Sequence, residues 1–97
     1  MRAVAAEDSV LDYVVRLVSR TRAEPRLRLG ASPRASLDLR RCAQAAALLA
    51  RRDFVTPSDV RSLAVPVLAH RLLAAPRAGA TPAEIVGDIV RSEPVPD

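Results

Sequence analysis

Apolar residues recur along this chain at steps of three and four, the spacing that gathers them on one face of an α-helix. Val10, Leu11, Val14, Leu17, Val18 and Thr21 share a face, with Asp12, Arg16, Ser19 and Arg20 opposite, which predicts a helix over residues 9–22 opening at Asp8 or Ser9. Ala35, Leu39, Cys42, Ala46 and Leu49 define the apolar side of a second helix over residues 33–51, with Arg40, Arg41, Gln44 and Arg51 away from it. Cys42 on that stripe reads as a buried small hydrophobe. Val60, Leu63, Ala64, Val67, Leu68 and Leu72 keep helical period across Pro66, where an interior proline loses a hydrogen bond and crowds the preceding turn, so two short helices are expected. Ile85, Val86, Ile89 and Val90 form the apolar edge of a last helix.

Start signals agree with these periods. Ser32-Pro33, Thr56-Pro57 and Thr81-Pro82 each place a hydroxyl residue before a proline. The hydroxyl can cap exposed N–H groups, and proline suits the first helical position because its missing N–H had no partner there. Asp59 and Glu84 follow their threonines by three residues, the spacing of a capping box. Residues 23–31 are irregular between Pro25 and Gly30, and the brief alternation of Arg26 to Leu29 is too short to read as a strand. The expected fold class is all-α, a small bundle of four to five helices over residues 8–92. Residues 1–7 read as a leader or linker, and residues 93–97 as a Pro-rich, frayed tail.

Ninety-seven residues suit one domain with one core. With 49% apolar residues the chain should fold, and with 2% aromatics its core must be thin and built from Ala, Val, Leu and Ile. The net charge is +4, and all 15 Lys or Arg positions are Arg. Codon bias toward Arg is the plain explanation; the functional one is that a guanidinium forks onto phosphate. Residues 23–53 hold seven Arg against three acids, whereas residues 54–97 hold four against five, so the excess is local. A chain-long basic stripe is lacking, which disfavours a dedicated nucleic-acid binder.

A lone Cys42 and a lone His70 exclude a disulfide framework and a structural zinc site; no metal site is expected. No apolar run reaches the ~20 residues that span a bilayer, and the N-terminus has no signal-peptide core, so a cytoplasmic location without a membrane partner is expected. No phosphate loop or nucleophile constellation is visible, so the chain is not expected to be an enzyme by itself. His70, near a helix end, reads as a capping or packing residue. Arg34 and Asp38 are spaced for a surface ion pair.

The segment Gly30-Ala31-Ser32-Pro33-Arg34 stands apart. Gly30 permits close backbone approach, Ser32 caps, and Pro33 begins the helix. Arg34 then adds positive charge to a helix end already partly positive. That conflict resolves when an anion arrives, because a helix N-terminus with a guanidinium is suited to phosphate oxygens. A solvated surface arginine is the other reading.

Together with Asp12-Tyr13-Val14-Val15, Thr21-Arg22, Asp53-Phe54-Val55-Thr56-Pro57-Ser58-Asp59-Val60 and Val67-Leu68-Ala69-His70-Arg71-Leu72, this segment resembles the C-terminal lid of MoxR-family AAA+ ATPases over residues 8–95. The resemblance implies a nucleotide-binding core ahead of the lid and assembly into a ring, usually a hexamer. It implies ATP and Mg²⁺ as cofactors of the complete protein, with neither bound by the isolated lid. The chain is then an excised lid or a fragment of a longer product. Gly30, Ala31, Ser32, Pro33 and Arg34 would form the sensor-two element contacting nucleotide, with Arg34 the catalytic arginine, serving either its own or a neighbouring subunit's γ-phosphate. Implied partners are the core domain, adjacent subunits and client proteins, among them proteins with von Willebrand factor A domains. Two alternatives remain: a small Arg-rich helical nucleic-acid-binding module, and a standalone adaptor with the lid fold.

Overall fold

A computed structural model describes residues 4–96 of the chain; Met1 to Ala3 of the expected leader and Asp97 of the expected tail lie outside the described residues. Four α-helices carry the structure: α1 (Asp8–Ala23), α2 (Pro33–Leu49), α3 (Pro57–Leu68) and α4 (Pro82–Ser92). Two short strands, β1 (Leu27–Leu29) and β2 (Leu73–Ala74), pair antiparallel and tie the α1–α2 connection to the chain leaving α3. The bundle is all-α in class, with this ribbon as a clasp.

The caps explain where α3 and α4 begin. In each, the threonine hydroxyl accepts from the third residue's N–H and that residue's carboxylate accepts from the threonine N–H, through Thr56 with Asp59 and Thr81 with Glu84. α1 starts at Asp8 after Glu7, without a side-chain cap.

The core is as thin as its composition requires. Val10, Tyr13, Val14, Leu17 and Val18 of α1 are buried with Val60, Ala64 and Leu68 of α3 and with Ile85, Val86, Ile89 and Val90 of α4. Tyr13 supplies bulk that the periodicity had left off the α1 face; burial raises its pKa, and its hydroxyl finds no partner among the described residues.

Four expectations are corrected. The buried edge of α2 is Ala35, Leu39, Ala43 and Ala47, whereas Cys42 is exposed and Leu49 is 86% exposed. Ala43 and Ala47, with Ala35 a further two turns up, seat α2 against α3, and that packing outweighs the larger side chains on neighbouring positions. α3 runs unbroken through Pro66 and ends two residues later, continued only by a 3₁₀ turn at Ala69–Arg71. Pro66 faces solvent, so the carbonyl it leaves without a helical partner is not sealed in the core and the lost bond is tolerated. The Arg26–Leu29 alternation does form a strand, because β2 supplies it with a partner. Glu93 and Pro94 are anchored rather than frayed: Arg16 reaches the Glu93 carboxylate at 2.8 Å and the Pro94 carbonyl at 3.3 Å, and Arg20 reaches Glu93 at 3.2 Å.

At the other end of the chain, Ala5 forms a parallel bridge with Phe54, and the Gln44 amide donates to the Val4 carbonyl. His70 lies in the 3₁₀ turn, its Nδ1 3.2 Å from the Pro66 carbonyl, in the capping role expected for it.

A two-pronged electrostatic unit joins α2's exit to α3's start. Arg52 holds both Asp59 oxygens, at 2.8 and 2.7 Å, and also donates to the Phe54 carbonyl. This fork, with the Thr56 N–H, holds the buried Asp59 carboxyl down at about 2, against an ordinary 3.8. A carboxyl with a depressed folded pKa contributes stability that is complete above its unfolded pKa and lost as pH falls through the folded one. We therefore expect about 2 kcal/mol from Asp59 at neutral pH, declining between roughly pH 4 and 2. Arginine partners also lower Glu24, Asp38 and Asp88, in the same direction. Denaturant titrations across this range, with Asp59→Asn as reference, check the expectation; a flat profile for the native chain would refute it.

Candidate functional site

The residues singled out in the sequence lie where α1 ends and α2 begins. Thr21 sits on the buried face of α1, and a buried hydroxyl needs partners. It donates to the Val18 carbonyl at 2.6 Å and accepts from the Ala31 N–H at 3.0 Å. Arg22 donates through Nε to the Ala31 carbonyl at 2.9 Å. Both polar groups of one loop peptide position are thus fastened to the last turn of α1.

Gly30 lies flat against the same turn. A Cβ at that position would stand 2.7 Å from the Thr21 carbonyl oxygen and 2.7 Å from the Arg22 Cα. Glycine is there for close backbone approach, not for an unusual dihedral angle. Ala31 and Ala35, both buried, then seat the first turn of α2 on the core. The loop and the helix start form one clamped unit.

On the outer side of that unit, Ser32 occupies the N-cap and Pro33 the first helical position, as the sequence predicts, but the Ser32 side chain accepts no capping bond. Its capping-box partner would be the third helical residue, which is Ala35, committed to the core and without a carboxylate. α1, α3 and α4 each carry an acid in the first turn, namely Asp8, Asp59 and Glu84; α2 carries none. It carries Arg34 instead, exposed to solvent. The i,i+4 partner expected for Arg34 is occupied: Asp38 pairs with Arg71 from the 3₁₀ turn, and that hydrogen bond lowers its pKa. The Arg34 side chain makes no hydrogen bond or ion pair with any described residue and acts on Asp38 only through space. An uncapped helix start, an exposed guanidinium and no first-turn acid are together an arrangement complementary to an anion.

Among the five residues read as the site, Gly30 and Ala31 face the protein and hold the loop, whereas Ser32, Pro33 and Arg34 face outward. Thr21 and Arg22 complete the clamp. Sequence reasoning quoted them without assigning them a task, although a threonine on an apolar stripe already asks for a partner. Among the described residues no group of three or more His, Cys, Asp or Glu could hold a metal ion, and no helix is long and apolar enough to cross a membrane.

Comparison with known proteins follows this geometry. The AAA lid domain family matches residues 19–89, which include the Thr21–Arg34 unit. The uncharacterised protein YeaC of Bacillus subtilis is 43% identical over 96 residues, covering 96% of this chain and 30% of the relative. Chaperone MoxR1 of Mycobacterium tuberculosis is 42% identical over 74 residues, covering 67% of this chain and 20% of that protein. The crystal structure of a candidate ATPase from Cytophaga hutchinsonii superposes with a TM-score of 0.87 at 30% identity, covering 97% of this chain and 32% of the other. This chain therefore spans about a third or less of the length of each of these proteins.

Proposed function

We propose, on the premise that the chain belongs to the AAA lid domain family and resembles its MoxR members, that it is the lid of a MoxR-type ATPase in which Arg34 is the sensor-two arginine. The observation that carries this reading is the exposed guanidinium in the first turn of α2, on a helix start that is uncapped, lacks an acid and is clamped to α1. Arg34 and that open turn fit the terminal phosphate of ATP. In this reading the base, ribose and Mg²⁺ are held by a nucleotide-binding core, and the lid packs against that core within a ring of subunits.

Arg34 stabilises charge on the terminal phosphate and loses that partner after hydrolysis. The clamp at Gly30, Ala31, Thr21 and Arg22 makes the loop move with α1, so a pull on Arg34 moves the lid as a body. Remodelling of client proteins, including those with von Willebrand factor A domains, and a cytoplasmic setting belong to the same proposal.

In a protein carrying this lid behind its nucleotide-binding core, Arg34→Ala should lower ATP turnover roughly a hundredfold, the scale of losing one preorganised charge-stabilising donor. The same change should leave the lid folded and even raise its stability by about 0.5 kcal/mol, since it removes a positive charge from a helix N-terminus. Turnover and thermal unfolding measured on the same variant separate the two effects. Undiminished turnover would remove Arg34 from the mechanism.

A further inference from the structure

The face of α2 opposite the core has a pattern that the lid assignment does not use. Arg41 and Leu48 are spaced by seven, and Leu37 precedes Arg41 by four, so these residues line one stripe along the helix. From Leu37 to Leu48 the stripe extends roughly 16 Å, at about 1.5 Å per residue. Leu37 and Leu48 are 38% and 45% exposed. At the upper end, Leu37 and Arg40 border an apolar groove of 310 Å³ that Leu11 and Val15 of α1 close from the other side. At the lower end, Leu48 and Arg51 share a second hollow.

The charge on this face is only partly compensated, by Asp38, which acts through space on Arg41, and by Asp53, which lines the lower hollow with Arg51. The side chains of Arg40, Arg41 and Arg51 make no hydrogen bond or ion pair with any described residue. The one acid in α2, Asp38, is taken by Arg71. Two leucines set apart along a helix, with arginines between and beside them, call for apolar anchors flanked by carboxylates.

We infer that the outer face of α2 is a docking surface for an acidic amphipathic helix of another protein, seated with one apolar side chain in the groove at Leu37 and a second over Leu48. A second copy of this chain does not fit, because it would bring the same cationic stripe against itself. A nucleic acid would engage the arginines and leave both leucines and the apolar groove uncovered, with no aromatic side chain on this face for bases to stack on. The inference stands apart from the role given to Arg34.

A synthetic helical peptide of about five turns, with leucines at heptad a and d positions and glutamates at e and g, tests it by fluorescence anisotropy against the 97-residue chain. Binding is expected, with amide NMR shifts confined to α2 and the facing side of α1. Arg41→Glu and Leu48→Ala should each weaken it at least about tenfold, with the circular dichroism of the chain unchanged because both side chains are exposed. Replacing the peptide's glutamates by lysines should abolish binding to the native chain. Arg61→Glu, exposed on α3, should change affinity by less than about twofold. Absence of binding, an equal loss with Arg61→Glu, or a leucine-free acidic peptide binding as tightly would each overturn the proposal. So would duplex DNA that binds more tightly than the peptide and is lost on Arg41→Glu but not on Leu48→Ala.

Discussion

Replacing Asp59 by alanine should destabilise the chain by about 3 kcal/mol, the sum of a lost helix cap and a lost charge-assisted fork. One carboxylate performs both tasks: it accepts from the Thr56 N–H at 2.8 Å and takes both nitrogens of Arg52. Arg52 keeps enough exposure to turn toward water once its partner is gone, which holds the penalty below that of a fully buried orphan charge. For a domain of this size the loss corresponds to a fall of roughly 15 °C in melting temperature. Asp59→Asn should fall between the two, since an amide oxygen can still accept from Thr56 but no longer pairs as an anion with Arg52. Thermal and denaturant unfolding of the three proteins measure this. An Asn variant as stable as the native chain would mean that the ion pair contributes nothing and that capping alone sets α3.

The same residue illustrates what the sequence made legible. Thr56-Pro57 with Asp59, and Thr81-Pro82 with Glu84, announce their helix starts because every participant is local, and both boxes form. The apolar edge of α4 was readable for the same reason, since its large aliphatic residues lie on one side; that of α1 was readable except for Tyr13, whose hydroxyl argued against burial. α2 was harder. Its apolar residues are mostly alanines, which occur on several sides, and only the close approach of α3 selects Ala43 and Ala47 over Cys42 and Ala46. The strand at Leu27–Leu29 was illegible because its partner lies more than forty residues on, at Leu73–Ala74. Arg52 with Asp59, Arg71 with Asp38, and Arg26 bridging Glu24 and Asp88 are contacts that sequence spacing does not single out from other arginine–acid pairings.

For the candidate site, the start of α2 at Pro33 and the electrostatic oddity of Arg34 could be read directly. What could not be read was that Asp38 takes its hydrogen bond from Arg71, which leaves Arg34 coupled to it only through space. Nor was the clamp visible, because Thr21 and Ala31 meet only after the chain has doubled back. These contacts give the site its rigidity, and they make a prediction that separates position from chemistry.

Gly30→Ala should cost about 3 kcal/mol, although it adds a single methyl group and imposes no unfavourable dihedral angle. The new carbon would sit 2.7 Å from the Thr21 carbonyl oxygen and the Arg22 Cα, both of them backbone atoms that no rotamer change can move aside. Relief requires the loop to lift from α1, and lifting it stretches the Ala31 N–H from Thr21 and the Ala31 carbonyl from Arg22. The strain therefore adds to the loss of two hydrogen bonds, which places the total near the upper end for overpacking. Thr21→Val removes one of those bonds while keeping the bulk and leaves the Ala31 N–H buried without a partner, so it should cost about 2 kcal/mol. In a protein with its nucleotide-binding core, both changes should lower ATP turnover with Arg34 still present, by moving the guanidinium off its target. A Gly30→Ala chain that unfolds at the native temperature would show that the α1–α2 contact yields freely, and the loop could not then transmit a pull from Arg34 to the rest of the bundle.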